Sequence, residues 1–454
     1  MANSSDVNNN KSKKKRTIAE VGRETALYLL KEGSIIYVRD MGWIQWLPRE
    51  GVWRFYPGRD SYLIAEKIII KLLEMKKLSG RTLTGEALHY LKARSAIAPE
   101  KINPDKTSWI NMKNGMYHLE TEVLEAHKLH KARFSTIQLP YCFEPKADCP
   151  RWLRYLDETL SQDTHTLVQE FFGSLLVGNA HRFGSRLWFA TGTGRNGKSV
   201  FARVAEEFVG KDNCSSVSIM GLSDKFQRID LYNKLLNVSS ESGIATVRGS
   251  EWLKALSGGD TISAQYKFGG TINFINQAAL FFTMNSIPAI PDATRAMQER
   301  IIVLLFGNTF YGEKADSTLS DKLIKELPGI FNWAIEGLNR VLERGQFLES
   351  ASVLNAKSEL LESVNSLVRF AENCLIPDVL GTVQAIDLRA VYDQYCKSSK
   401  VVPKYASQLP SHLAEILHPP KWAIETGRTK KGIVLKGVRL CYENCNESID
   451  FEDY

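Results

Sequence analysis

Long apolar runs are absent from this sequence. The longest ones, near residues 278–284 and 301–306, fall far short of the roughly 20 residues that a membrane-spanning helix needs. Runs this short are typical of buried β-strands. The polar N-terminus also lacks the apolar segment of a secretory signal peptide. We therefore expect a cytoplasmic protein with no membrane partner.

Paired cysteines and histidine clusters are missing as well. The seven cysteines are an odd number and no two are spaced as C-x-x-C, while the eight histidines include no H-E-x-x-H segment. Cys441 and Cys445 have no second ligand pair nearby. These absences argue against a disulfide scaffold and against a structural zinc site. Scattered cysteines of this kind fit reduced thiols in a cytosol.

The composition is that of an ordinary globular protein. With 454 residues, 44% of them hydrophobic and 24% charged, the chain can bury a large core, and roughly two to four domains are expected. The net charge of +7 is a mild basic bias. Such a bias suits a polyanionic partner such as nucleic acid, although it does not identify one.

The most informative stretch covers residues 186–208. An apolar run at 186–190 enters the segment TGTGRNGKS at 191–199, and a helical pattern leaves it. Gly192, Gly197, Lys198 and Ser199 fit the P-loop pattern G-x-x-x-x-G-K-[ST]. Glycines let successive backbone N–H groups turn toward phosphate oxygens, and the helix that follows adds the positive end of its dipole. An ordinary glycine-rich loop is the alternative, and the strand-turn-helix context argues against it.

This P-loop predicts ATP and Mg²⁺ as ligands. Lys198 is expected to reach the β- and γ-phosphates, and the Ser199 hydroxyl is expected to bind Mg²⁺. The predicted ATP-binding residues are Gly192, Thr193, Gly194, Arg195, Asn196, Gly197, Lys198, Ser199 and Val200.

Two later strands predict polar residues at the same place. Residues 234–241 form an apolar strand that ends in Glu241, and residues 279–284 form a buried strand that ends just before Asn285. Ligands of open α/β sheets bind at the carboxyl ends of the strands, so Ala190, Glu241 and Asn285 are expected to converge on one nucleotide. Glu241 would hold Mg²⁺ or polarise water. The predicted fold class is therefore α/β.

A hairpin is predicted between these two strands, at residues 262–274. Lys267 lies near its tip, with Tyr266 and Phe268 on either side. A lysine at a hairpin tip can hold a DNA phosphate, and flanking aromatic rings can brace the loop or stack on bases. The alternative is an ordinary surface lysine.

The C-terminal region predicts a second DNA-binding element. Helices are expected at 387–396 and 407–417, followed by short strands at 422–424 and 433–435. The order helix, helix, basic hairpin is that of a winged helix. The predicted DNA contacts in the wing are Arg428, Lys430 and Lys431.

An aromatic hairpin is predicted near the N-terminus, after a polar, basic tail. Its strands, at 42–46 and 52–56, flank a turn that contains Gly51. The aromatic residues would form either a stacking platform for bases or a small core, and we favour the core.

Taken together, these segments resemble the superfamily 3 helicases of viruses, phages and plasmids, in particular the phage and poxvirus primase-helicase type. The segments INMKNG at 110–115 and CPRW at 149–152 look like those of the domain that precedes the ATPase in that branch. The match spans roughly residues 100–345, with a weaker match to a C-terminal winged helix. The resemblance implies an AAA+ ATPase core, a hexameric ring, and 3′ to 5′ translocation on single-stranded DNA.

The resemblance also implies roles for individual residues. Lys198, Glu241, Asn285 and Arg300 would be catalytic, with Asn285 as sensor 1 and Arg300 as the arginine finger offered to a neighbouring subunit. Arg295 is the alternative finger. Ser199 and Glu241 would hold Mg²⁺, and Lys267 would lie on a DNA-gripping hairpin. One departure is Ser240, which stands where many P-loop enzymes carry Asp.

The expected organisation follows from these assignments. No primase domain is predicted at the N-terminus, so a separate primase or polymerase is an expected type of partner, beside single-stranded, forked and origin DNA in a bacterial host. The predicted segments are a basic tail (1–19), an N-terminal α+β domain (20–150), a helical collar (151–185), the AAA+ domain (186–345), a helical linker (346–370), a winged helix (371–445) and an acidic tail (446–454).

Two other functions fit part of this pattern. The chain would then be a loader or packaging motor that does not unwind DNA, or a DNA-binding regulator in which ATP switches assembly. The hairpin with Lys267 favours the helicase, because a translocating loop must hold phosphates by charge.

Overall fold

The computed structural model describes residues 16–39, 41–55, 59–103, 108–178, 181–192, 194–241, 250–267, 270–285, 295–310, 316–399, 409–417, 422–430 and 432–441. The chain divides into two units, residues 1–138 with 266–272 and residues 139–265 with 273–454.

Within its described residues, the first unit contains three α-helices and two antiparallel three-stranded sheets, in the orders β1-β2-β3 and β4-β5-β6. A capping box starts α1: the Thr17 side chain accepts from the Glu20 N–H, and the Glu20 carboxylate accepts from the Thr17 N–H. The elements are α1 (Ile18–Glu32), β1 (Ile35–Val38), β2 (Gly42–Leu47), β3 (Val52–Phe55), α2 (Arg59–Met75), α3 (Arg81–Ser95), β4 (Trp109–Met112), β5 (Gly115–His118) and β6 (Leu124–Glu125).

The tryptophans of the β2–β3 hairpin belong to the core. Trp43 and Trp53 are each 1% exposed, and Trp46 is also buried. The Trp46 and Trp53 rings pair across the hairpin with their centroids 5.6 Å apart. Buried rings cannot stack on bases from solvent, so the prediction of a small core is confirmed and that of a stacking platform is wrong for these three residues.

The second unit contains a parallel five-stranded sheet in the order β13-β7-β12-β9-β8. This sheet confirms the predicted α/β class. The elements of this part of the chain are α4 (Pro150–Thr159), α5 (His165–Val177), β7 (Leu187–Thr191), α6 (Lys198–Val209), β8 (Cys214–Ser215), α7 (Lys225–Arg228), β9 (Leu236–Glu241), α8 (Ser250–Gly258), β10 (Thr261–Gln265), β11 (Thr271–Ile275), β12 (Ala279–Met284), α9 (Arg295–Arg300) and β13 (Ile301–Leu305). The first two residues of β11 belong to the first unit.

The remaining elements are α10 (Leu319–Ile324), α11 (Leu327–Arg344), α12 (Ala351–Cys374), β14 (Leu375–Gln384), α13 (Ala385–Ser398), α14 (Leu409–Ile416), β15 (Glu425–Thr429) and β16 (Gly432–Leu440). The antiparallel sheet β14-β16-β15 packs with α13 and α14 around buried residues that include Phe370, Leu388, Tyr392 and Leu413.

One prediction for this C-terminal region is wrong, and one strand was not predicted. Residues 422–424 are not a strand, and Trp422 is buried in the core. The strand is instead β15, whose residues are exposed or half-buried along its length, so it carries no apolar alternation to reveal it. In addition, β14 precedes α13 and was not predicted. Its register breaks between Pro377 and Thr382, which interrupts the period of two that marks a strand.

Helix bounds also differ from the predicted ones. The helical region predicted at 318–370 is three helices, α10 to α12, and the last of them continues to Cys374. Gly345 ends α11 in the left-handed conformation, with φ 77°, as is common at a helix C-terminus. Among the described residues, no helix is both long and apolar enough to cross a membrane.

Close packing of α5 against α11 gives a stability prediction. A Cβ added at Gly173 would lie 2.5 Å from the Ala334 carbonyl oxygen and 2.5 Å from the Leu338 nitrogen. Alanine gains about 1 kcal/mol over glycine as a helix former, but overpacking against backbone typically costs about 1–3 kcal/mol or more. We expect Gly173→Ala to lower the midpoint of thermal unfolding by several degrees.

Gly85→Ala in α3 is the matched control, since a Cβ there has no atom within 4 Å. It is expected to leave the midpoint unchanged or to raise it slightly, by helix propensity alone. Calorimetry measures the midpoint of thermal unfolding for both variants and for the parent. A Gly173→Ala protein that melts at or above the parent temperature would show that the two helices can separate without cost.

Candidate nucleotide site at the carboxyl edge of the parallel sheet

The P-loop connects β7 to α6. Gly194, with φ 105°, and Gly197, with φ 93°, adopt left-handed backbone conformations that glycine tolerates best. Gly197 is the N-cap of α6, which begins at Lys198. The N-terminus of this helix therefore faces the loop and offers backbone N–H groups and a positive dipole end, the arrangement that binds phosphate elsewhere.

Lys198 is buried in the loop at 7% exposure. Its Nζ donates to the Gly192 carbonyl oxygen at 2.7 Å and to Asn196 Oδ1 at 2.9 Å. Burial lowers the pKa of Lys198, because desolvation disfavours the charged form. Both acceptors oppose that effect by stabilising the ammonium.

The strand ends that were expected to converge are level with one another. In the sheet, Met284 of β12 pairs with Thr191 of β7 on one side and with Glu241 of β9 on the other. The strand that leads to Asn285 therefore lies between the P-loop strand and the strand that ends in Glu241. The backbone of Glu241 is described, but its side chain lies outside the described part of the chain.

A cavity of about 820 Å³ lies at this edge. Its size is within the range of small-molecule sites. Its lining includes Ser240, Thr283 and Asn285 from the strand ends and residues 194–200 of the P-loop. The cavity is therefore lined by the polar groups that a nucleotide triphosphate needs, together with apolar side chains from Phe310 and Leu319.

Helix α4 supplies a wall that the sequence did not predict. Arg151, Arg154, Tyr155 and Glu158 line the cavity. The buried Tyr155 hydroxyl donates to the Gly197 carbonyl oxygen at 2.9 Å, and burial raises the pKa of Tyr155. A neutral tyrosine thus fixes the residue before Lys198. The only signal in the sequence was the CPRW segment that opens this helix.

Several predicted site residues can be placed only in part. Thr193, Phe268 and Lys431 lie outside the described residues, as does the side chain of Arg295. Lys267 is exposed and follows β10, and Tyr266 beside it is half-buried. Arg428 lies within β15 and Lys430 directly after it, and both are exposed. Of the described residues in the second unit, Arg428 and Lys430 do not line the cavity.

Arg300 lies at the amino-terminal end of the parallel strands, opposite the end that carries the P-loop. It ends α9, directly before β13, and β13 is parallel to β7 with Leu305 level with Thr191. A strand rises about 3.3 Å per residue, so roughly 16 Å separate Arg300 from the P-loop edge. Its Nη1 donates to the Lys254 carbonyl oxygen at 2.6 Å and to Ser257 Oγ at 3.0 Å. Arg300 therefore cannot reach the P-loop of its own sheet.

Among the described residues, no group of three or more His, Cys, Asp or Glu side chains is placed to hold a metal ion. The oxygen donors that line the cavity include the hydroxyls of Ser199 and Ser240 and the carboxylates of Glu158 and Asp316. Mg²⁺ in nucleotide sites keeps several waters and takes one or two protein ligands beside the phosphates. A site with the Ser199 hydroxyl and one carboxylate would fit that requirement.

Comparisons with known proteins bear on both halves of the chain. A family model described as D5 N terminal like matches residues 25–161, and a family of unknown function, DUF5906, matches residues 190–300. The first match supports a relation of the N-terminal region to phage and viral primase-helicases, the group that the sequence resembles. The assignment to superfamily 3 stays a prediction.

Solved structures with some likeness include two of the NrS-1 C-terminal region. The A form apo structure is 11% identical, covers 90% of this chain and 97% of that one, and has a TM-score of 0.48. The A form apo structure of residues 305–718 is 14% identical, covers 92% and 100%, and has a TM-score of 0.45. Both TM-scores are too low to support the assignment of the fold, which rests on the parallel sheet described above.

Proposed function

We propose that the protein is an ATP-dependent DNA helicase of phage or mobile-element replication. The observation that carries the proposal is the cavity at the carboxyl edge of the sheet, where the buried Lys198 amine and the start of α6 lie beside the ends of β9 and β12. The D5 match to residues 25–161 supports a role in DNA replication. The parallel sheet would then be an AAA+ core.

In this proposal the triphosphate lies along residues 194–200. Lys198 neutralises the charge that develops on the transferred phosphoryl group, and Asn285 and Glu241 orient the attacking water from the neighbouring strand ends. Ser199 and Glu241 would hold Mg²⁺, which would supply further neutralisation of the phosphates. Because Ser240 is not a carboxylate, Glu241 would serve both the water and the metal.

Arg300 would act between subunits in this proposal. Because it lies at the start of β13, away from the P-loop of its own sheet, a phosphate that it stabilises would belong to a neighbouring subunit. A closed ring gives every subunit such a neighbour. We propose a homohexamer in which each Arg300 completes the next site.

The DNA contacts in this proposal come from Lys267 and from the basic C-terminal strands. Lys267 is exposed and would hold one strand by its phosphates, with 3′ to 5′ movement on single-stranded DNA. The sheet β14-β16-β15 with α13 and α14 would act as a winged helix, and Arg428 and Lys430 would contact duplex or origin DNA.

Lys267→Ala is expected to uncouple ATP hydrolysis from unwinding. The change removes roughly one phosphate contact per subunit, and a contact repeated around a ring matters more than one at a single site. Hydrolysis without DNA should stay near the parent rate, stimulation by single-stranded DNA should be small, and forked DNA should stay paired. ATPase and strand-separation assays on the same preparation measure all three.

Lys211→Ala controls for the loss of one surface charge. Lys211 is exposed after α6 and forms a surface pair with Glu207, so its loss should change none of the three readouts. If Lys267→Ala unwinds forked DNA as well as the parent does, Lys267 is an ordinary surface lysine.

A loader or packaging motor without unwinding activity is the second candidate, because it needs the same cavity and the same ring. A regulator in which ATP only switches assembly needs the cavity but not rapid hydrolysis. Electron microscopy with ATP and forked DNA distinguishes the regulator from the helicase and from the loader or packaging motor. A six-membered ring with DNA in its channel supports the helicase or the motor, and a ring-free complex on duplex DNA supports the regulator.

A further inference from the structure

The carboxamide of Asn196 forms hydrogen bonds to two groups, the Lys198 amine and the Phe306 backbone carbonyl. Asn196 is 2% exposed. Its Oδ1 accepts from Lys198 Nζ at 2.9 Å, and its Nδ2 donates to the Phe306 carbonyl oxygen at 3.0 Å. Phe306 directly follows β13, the edge strand beside β7.

Both partners enforce the same orientation of this amide. An ammonium can only donate and a backbone carbonyl can only accept, so the oxygen must face Lys198 and the nitrogen must face Phe306. An amide flipped the other way would lose both hydrogen bonds. No residue other than asparagine supplies this acceptor and donor at this side-chain length.

The end of β13 is a rigid anchor for the amide. The Phe306 N–H donates to the Thr191 carbonyl oxygen at 2.8 Å, which continues the pairing with β7. The Phe306 ring is 1% exposed and packs edge-on against Phe201 of α6. Phe306 is thus held by its backbone and by its ring, so its carbonyl offers a fixed point.

Gly192 makes the connection sterically possible. A Cβ added there would lie 1.9 Å from Asn196 Nδ2 and 2.5 Å from the Phe306 carbonyl oxygen. The first glycine of the P-loop is therefore required for the Asn196 side chain to reach β13, as well as for the turn itself.

We propose that Asn196 is a positioning residue, which fixes the Lys198 ammonium relative to the end of β13 so that the amine points at the phosphates. An ammonium has three donors. Gly192 and Asn196 take two of them, and the third serves the nucleotide. The proposal rests on the proposed ATPase function for its kinetic consequence but not for its geometry.

Kinetics give the first test. Asn196→Ala is expected to lower kcat for ATP hydrolysis roughly tenfold to a hundredfold, since a catalytic group displaced by about 1 Å costs on that order, while KM for ATP stays within about threefold. Rates are expressed per nucleotide-binding site, counted by titration. A residue that only stabilised the fold would reduce the number of sites and leave kcat per site unchanged.

Asn276→Ala is the matched control. Asn276 is also a fully buried carboxamide, and it bridges the Leu256 and Ala278 carbonyl oxygens before β12 begins. Its loss should lower thermal stability without changing kcat per site. If Asn196→Ala behaves like Asn276→Ala, the proposal is overturned.

Labelling of Lys198 tests the geometry without any turnover. The pH midpoint of its reaction with an acylating reagent is measured by mass spectrometry in the full chain without nucleotide. A hydrogen bond to the ammonium favours the charged form, so the midpoint should move to lower pH in Asn196→Ala. It should move to higher pH in Asn196→Asp, which adds a carboxylate, and stay unchanged in Asn276→Ala.

The other charged groups at the cavity are the same in all these proteins. Among the described residues these are Glu158, Asp316 and Lys322, with Arg151, Arg154 and Arg195, so differences between variants report on position 196. Equal midpoints in the parent, Asn196→Ala and Asn196→Asp would overturn the proposal. A parent protein without ATPase activity would instead contradict the proposed function, and the labelling result would still decide the role of Asn196.

Discussion

Replacing Lys198 with alanine is expected to reduce ATP hydrolysis to at most a few per cent of the parent rate. The amine is the only described P-loop cation buried against the phosphate-binding backbone, at 7% exposure. It would meet charge that grows on the transferred phosphoryl group, and losses of such preorganised charge typically cost about 3 kcal/mol or more. Steady-state phosphate release in the presence of Mg²⁺ measures the effect.

Lys322→Ala provides the control for this experiment. Lys322 also lines the cavity, but it is partly exposed and paired with Asp316 at 2.6 Å. Pairs of this kind contribute little, so its loss should change the rate by less than a few fold. Substantial hydrolysis by Lys198→Ala would mean that the active site lies elsewhere in the chain.

Replacing Arg300 with alanine is expected to lower turnover on the order of a thousandfold, the usual contribution of an arginine donated between subunits. The arginine is expected to act between subunits because Arg300 lies at the start of β13, whereas the P-loop lies at the other end of the neighbouring strand β7. Mixing Arg300→Ala with Lys198→Ala subunits should restore part of the activity, because some interfaces then combine an intact P-loop with an intact arginine.

The experiment with mixed subunits also distinguishes a loss of catalysis in Arg300→Ala from a loss of folding. Arg300 donates to the Lys254 carbonyl and to Ser257 near the end of α8, so Arg300→Ala will lose some stability as well. An unfolded subunit cannot rescue a partner, whereas a folded subunit that lacks only its finger can. If mixed rings form and no ratio restores activity, Arg300 is not the finger, and Arg295 is the remaining candidate.

The parts of the site that follow from strand polarity were predictable from the sequence. A strand, a glycine-rich turn and a helix at 187–209 are marked by composition and by spacing, and parallel strands must bring their carboxyl ends together. The level register of Thr191, Met284 and Glu241 is the consequence. Local patterns were enough here because β7 and β12 are mostly apolar and buried, and because β9 begins with buried residues before its polar end.

Other parts depend on contacts between distant segments, which local patterns do not carry. Tyr155 reaches Gly197 from 42 positions away, and Asn196 reaches Phe306 from 110 positions away. Neither residue looks unusual within its own segment. The edge strand β15 escaped prediction for a different reason, since exposure leaves it without an apolar face.

Strand separation on forked DNA tests the central claim most directly. The parent protein is mixed with Mg²⁺ and a labelled fork, and displaced strand is measured with ATP, with a non-hydrolysable analogue, and with ATP and Lys198→Ala. We predict displacement in the first reaction only. ATP hydrolysis by the parent with the fork left intact would contradict a helicase and would favour a loader or packaging motor built on the same site.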